Sequence, residues 1–138
     1  VKGDHYMNNN EVKSVLEQYR DADKHINLAN RQLEDISAAT GFIPLCVVEE
    51  QERLKSRLTQ LMSLKISVRR ALERLDKTEA DIIQLRSIEG LGWIKCACTV
   101  SYSIRQAQNI HKRALRKLGV FLEQEGTSDH VNGEEITL

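Results

Sequence analysis

The chain has 138 residues, of which 41% are hydrophobic, 29% charged and 4% aromatic, with one proline. So few aromatics and a single proline favour helices and speak against a sandwich or barrel, whose strands are rich in aromatic and β-branched residues. Basic and acidic residues number 20 each, so the net charge is zero and only its distribution can point to a polyanion.

Val1 to Tyr6 carry no recognisable pattern, and the fold expectation begins after them. The run Asn8 to Asn10 offers helix caps. Apolar or small residues then recur at Val12, Val15, Tyr19, Ala22, Ile26, Ala29, Leu33 and Ile36. This three-four rhythm is a heptad pattern and predicts one long helix over 10–38. Thr40-Gly41 and then Pro44 end it, by left-handed tolerance and by the missing amide of proline. Leu54, Leu58, Leu61, Val68, Leu72 and Leu75 continue the rhythm, with Lys65 interrupting it. A short link at about 37–45 between two such stretches predicts an antiparallel, coiled-coil-like helical hairpin. Such a hairpin buries little alone, so it suits a homodimer or a docked partner.

Asp76-Lys77-Thr78-Glu79 fits a capping box opening a third helix through Ile82, Ile83, Leu85 and Ile88. Gly90 and Gly92 break it, Trp93 opens a short helix to about Val100, and Ser103 caps the last helix. That helix shows Ala107, Ile110, Ala114 and Leu118 on one face. The polar stretch after Leu122 reads as a disordered tail. The chain is therefore expected to be all-α, divided into a hairpin arm at 8–63, a compact helical unit at 64–122 and a tail at 123–138.

Charge supplies the functional signal. Between Leu91 and Leu118 stand Lys95, Arg105, Lys112, Arg113, Arg116 and Lys117, with no acidic residue, while the rest of the chain holds fourteen basic and twenty acidic residues. A merely solvated face mixes signs, whereas a phosphate-binding face does not. With the apolar stripe turned inward, Ile104, Arg105, Gln108, Asn109 and Lys112 lie on the outer face. Arg, Gln and Asn can pair with base edges, and the later cations suit phosphates. The expected base contacts are Ile104, Arg105, Gln108 and Asn109. The expected backbone contacts are Lys95, Ser103, His111, Lys112, Arg113, Arg116 and Lys117. Residues 103–118 are thus a candidate recognition helix on double-stranded DNA.

Residues 71–118 resemble region 4 of the sigma-70 family. The resemblance rests on Leu75, Glu79, Ile83, Leu85-Arg86, Glu89-Gly90 and Ala114-Leu115-Arg116-Lys117-Leu118. The stretches LRSIEGLGW and YSIRQAQNIHKRALRKL are similar to sigma-like regulators of Gram-positive phages and prophages, including late-gene activators of the RinA and ArpU type. The resemblance implies a helix-turn-helix domain over 64–122, promoter DNA, an RNA polymerase partner and a bacterial host cell. No other sigma region is recognisable, and Ile94, Cys96, Cys98 and Ile104 depart from the family pattern. A protein-interaction module without its own operator, or a phage DNA-packaging subunit, are the alternative readings.

Nothing in the sequence suggests an enzyme or a cofactor. Cys46, Cys96 and Cys98 are an odd number without framework spacing and read as free thiols. Cys96 and Cys98 would point to opposite sides of a helix, and no further ligands complete a metal site. With no long apolar run and no basic-then-apolar N-terminus, the expected location is cytoplasmic, without a membrane partner.

Overall fold

The computed structural model describes residues 7–38 and 44–137, with side chains as far as Glu125. These residues are helical, with no strand among them. Helix α1 spans Asn9–Ala38 and α2 Leu45–Glu73. Helix α3 (Lys77–Ile82) runs on into a π-helical segment (Ile83–Ile88), and α4 (Trp93–Val100) and α5 (Ile104–Thr137) follow. Thr40-Gly41, expected in the link after α1, lies outside the described residues. No helix among them is long and apolar enough to cross a membrane.

Local chemistry sets several boundaries. Asn8 is the asparagine that opens α1: its Oδ1 accepts from the Glu11 amide at 2.8 Å, and Glu11 Oε1 accepts from the Asn8 amide at 2.9 Å. That reciprocal box satisfies two amides that the first helical turn leaves unpaired. Pro44 stands at the start of α2, where a missing N–H costs nothing. The capping box at Asp76 and Glu79 forms as the sequence suggests.

Helices α1 and α2 pack antiparallel. His25 and Ala29 lie beside Leu54 and Arg57, whereas Ser14 and Glu17 lie beside Leu61 and Leu64. Ala22 and Ala29 are buried on α1, Leu54 and Leu61 on α2, so small residues on one helix admit large ones from the other. Lys65, the break in the apolar rhythm, forms an ion pair across the contact with Asp23.

The main core gathers at one end of this pair. Val12 and Leu16 of α1, Val68 and Ala71 of α2, Leu75, Ile83 and Ala114, Leu115, Leu118 and Leu122 of α5 form one buried cluster. Each large side chain in it contributes about 1.5–3 kcal/mol by leaving water. Leu16 is fully buried although it lies outside the expected heptad stripe, because the π-helical segment and α5 also pack on α1. Gly119 marks the closest approach: a Cβ there would meet the Met7 carbonyl oxygen at 2.6 Å. A smaller cluster of Ile82, Ala97, Ala107 and Ile110, with Trp93 and Val100 against it, ties α3, α4 and α5 together.

Two helices run across the expected boundaries. Helix α2 passes unbroken through residues 63 and 64, and its C-terminal half shares the main core with α1 and α5. Helix α5 runs on past Leu122 to Thr137, across the start of the tail expected from 123. Tertiary contacts hold its first residues past Leu122. The Arg74 guanidinium lies 4.1 Å from the Phe121 ring centroid and donates to Gln124 Oε1 at 2.7 Å, while Arg70 reaches Glu125 at 3.6 Å.

Candidate nucleic-acid interface

The candidate interface is built on α4, the three-residue link after it, and the first half of α5. Gly92, in an extended conformation, precedes α4, and Cys96 N–H donates to its carbonyl at 3.0 Å. Helix α4 ends at Ser101, whose φ of 64° is left-handed, a conformation that costs a side-chain-bearing residue energy. Tyr102 N–H reaches back to the Ala97 carbonyl at 3.0 Å, which closes the end of α4 in the manner of a Schellman motif. One residue later Ser103 begins α5. Its Oγ accepts from Gln106 N–H at 3.1 Å, and Gln106 Oε1 accepts from Ser103 N–H at 3.1 Å. This third capping box uses one lone pair of the Ser103 oxygen and leaves its hydroxyl proton and second lone pair for another partner.

Along α5, Ala107, Ile110, Ala114, Leu115 and Leu118 are buried, as periodicity requires. Arg105, Asn109, Lys112 and Arg116 are exposed, and their spacing of four, three and four sets them on one stripe, with Gln108 half-buried at its edge. Lys95 of α4 is exposed as well. Neither Lys95 nor the three stripe cations has an ion-pair partner among the described residues. Ile94, Tyr102 and Ile104 stand exposed nearby, at 71%, 43% and 43% of their surface.

The remaining cations do something else. Arg113 Nε donates to Glu79 Oε2 at 3.1 Å, and Lys117 Nζ donates to Glu79 Oε1 at 3.0 Å. Lys117 also lies 3.8 Å from Asp76. Glu79 is 1% exposed and in addition accepts the Asp76 amide at 3.1 Å, so one carboxylate caps α3 and clamps it to α5. Burial pushes the Glu79 pKa up, but the bonds from Lys117, Arg113 and Asp76 outweigh burial and hold it below the usual carboxylate range. The stretch 91–118 is acid-free only along the chain; in space α3 supplies its counter-charge.

His111 requires a correction. Expected as a backbone contact, it is only 7% exposed. One ring nitrogen, Nε2, lies 3.0 Å from Ser87 Oγ, and the ring meets Trp93 edge-on at 5.2 Å between centroids. Burial, then the positive charges of Lys13 and Arg86, lower its pKa to about 4. A neutral, enclosed imidazole has no charge to offer a phosphate; helical spacing turns position 111 toward Trp93 and the π-helical segment. Cys96 packs in the core with its thiol toward the Leu91 carbonyl at 3.6 Å, and burial raises its pKa, while Cys98 is exposed.

Sequence reasoning missed three cations of the neighbouring surface. Lys13 and Arg20 of α1 and Arg86 of the π-helical segment line one cleft with Glu17, Ser87 and Gly90. Two of the three lie about a hundred residues from α5 in the chain, so no local charge count could join them to it. No family model, curated protein or solved structure matches this chain significantly.

Proposed function

We propose that this chain is a sequence-specific regulator that binds double-stranded DNA through α5. In this reading α4 and α5 act as a helix-turn-helix and α1 with α2 as a helical arm. The observation that carries it is the exposed stripe of Arg105, Asn109, Lys112 and Arg116, whose cations, with Lys95, lack ion-pair partners among the described residues. Unpaired cations interleaved with amide side chains suit a groove: amides and Arg105 read base edges, and Lys112 and Arg116 neutralise phosphates. Arg113 and Lys117, held by Glu79, fall to a secondary role in this reading. The resemblance of residues 71–118 to sigma-70 region 4 gives the DNA a context, a phage promoter with RNA polymerase nearby, and the arm leaves room for a homodimer on paired half-sites.

Fluorescence anisotropy with duplex DNA at two salt concentrations tests the reading. Binding should weaken steeply with salt. Arg105→Ala and Asn109→Ala should relax base preference, whereas Lys112→Ala and Arg116→Ala should weaken all sequences alike. Absence of binding to any duplex at low salt would falsify the reading.

A second reading rests on Ile94, Tyr102 and Ile104, which put exposed apolar surface beside the cations. Such a face also suits a protein partner, polymerase or another regulator, with no operator of its own. Capture of the same partner from extract before and after nuclease treatment separates the two, because a DNA-bridged partner is lost.

A further inference from the structure

We infer that the cleft between the N-terminal half of α1 and the π-helical segment seats a phosphate of the DNA backbone, extending the interface from α5 onto α1. The inference rests on the DNA-binding reading above and adds a site to it. Its walls carry Lys13 and Arg20 from α1, Arg86 and Ser87 from the π-helical segment, and Gly90 at the rim, around about 360 Å³ of space. Glu17 is the one acidic side chain among the lining residues, so three cations face one anion.

The cations differ in what already holds them. Lys13 is exposed and has no hydrogen-bond or ion-pair partner among the described residues. Arg20 has only its chain neighbour Asp21, at 3.4 Å on an exposed surface, a contact that a phosphate readily displaces. Arg86 is fixed: its guanidinium lies 4.6 Å from the Trp93 ring centroid, and its Nη1 donates to the Leu91 carbonyl at 3.0 Å. A rigid guanidinium with further N–H groups to offer, beside two movable cations, presents donors to a tetrahedral oxyanion at little ordering cost. Like charges gathered in one cleft repel one another, and an incoming phosphate relieves that repulsion.

The cleft connects to α5 through one of its lining residues. Ser87, on its wall, is bonded to His111, whose sequence neighbour Lys112 belongs to the exposed stripe. The charges of Lys13 and Arg86 are felt at His111 itself. At its N-terminal end α1 reaches α5 again, where Met7 touches Gly119. In this inference a duplex lying on Lys112 and Arg116 extends across to the mouth of this cleft. The π-helical turn contributes by adding a residue to the helical turn that carries Arg86 and Ser87, and such turns recur at binding sites.

The test uses the full chain and the double variant Lys13→Gln/Arg20→Gln. Both positions are exposed, so circular dichroism should show an unchanged fold. Anisotropy with duplex DNA across a salt series should give a log K against log[salt] slope shallower by about 1, the one phosphate lost, and affinity reduced roughly tenfold or more, with base preference kept. An unchanged slope and affinity in this variant, with a shallower slope in Arg116→Gln, would overturn the inference and leave the DNA reading intact. If the unmodified chain binds no duplex, the DNA reading fails and the assignment to DNA fails with it. Titration with inorganic phosphate, followed by amide NMR, then decides whether the cleft itself stands. Shifts at Ser87 and Gly90 that vanish in the double variant keep it as a seat for a free phosphate, and no shifts there remove it.

Discussion

The two ends of the α1–α2 pair are written in the same three-four rhythm yet are buried to different depths. At the end that meets α5, Val12, Leu16, Val68 and Ala71 are fully buried. At the far end the stripe residues Ile26, Leu33, Ile36 and Leu58 are half-buried, and among the described residues of that end Ala29 and Leu54 alone are buried. The near end has α5 and the π-helical segment as further layers; among the described residues the far end has α1 and α2 alone. An apolar stripe specifies which side a helix turns inward, but the number of neighbouring elements sets how much water is excluded.

Mutation can break or sharpen that contrast. Leu16→Ala at the near end removes a fully buried side chain and should cost about 3 kcal/mol in chemical denaturation, within the 2–5 range for core Leu→Ala changes. An effect below about 1 kcal/mol would mean that the near end is no better packed than the far one.

Acid should strike the near end as well. His111 has a folded pKa of about 4 against an ordinary value of 6.5, so between these the unfolded chain binds the proton and the folded chain does not. Stability is then full above about pH 6.5 and falls by about 3 kcal/mol as pH drops toward 4. The imidazole is bounded by Ser87, Trp93, Arg86 and Lys13, none of which offers an anion to hold the proton. Glu79 adds a second window with the same sign. Its folded pKa lies below the ordinary 4.5, so its contribution is present above that value and is lost as pH falls through the folded pKa. Denaturation midpoints measured from pH 7.5 to 4 should decline in the native chain and decline less in His111→Gln.

Glu79→Gln keeps an acceptor for the cap but removes the charge that holds Arg113 and Lys117. Stability should fall by about 2 kcal/mol. Under the DNA-binding reading affinity for duplex should rise, because two released cations join the stripe and steepen the salt slope. A loss of stability with no gain in affinity would show that Arg113 and Lys117 lie off the path of the DNA.

Gly119→Ala pits helix propensity against packing. Alanine favours the helix by about 1 kcal/mol, but its Cβ would fall 2.6 Å from the Met7 carbonyl oxygen, a backbone atom with little room to give. The net outcome should be destabilisation of about 1–2 kcal/mol by overpacking, with loosened protection of the first turns of α1 in hydrogen exchange. At the far end Leu33→Ala should cost about 1 kcal/mol or less, since its side chain is only half-buried. A larger cost, above all one that depends on protein concentration, would point to a second chain covering that end.

The sequence by itself determined the helices. Their stripes, the Asp76–Glu79 and Ser103 caps and the break at Gly90 and Gly92 are settled by residues within about one turn of each other, which is why they are legible in a single chain. The exposed stripe of Arg105, Asn109, Lys112 and Arg116 follows from the same periodicity. What tertiary structure decided is which charges are free. Arg113 and Lys117 meet Glu79 across 34 and 38 residues, and no helical rule reads a charge at that range. The same holds for His111, whose neutrality depends on Ser87 and Trp93 closing over it, and for Leu16, buried by the packing of α5 and the π-helical segment on α1. Coulomb attraction and desolvation act through space, whereas caps and periodicity act along the chain, and only folding brings the two into register.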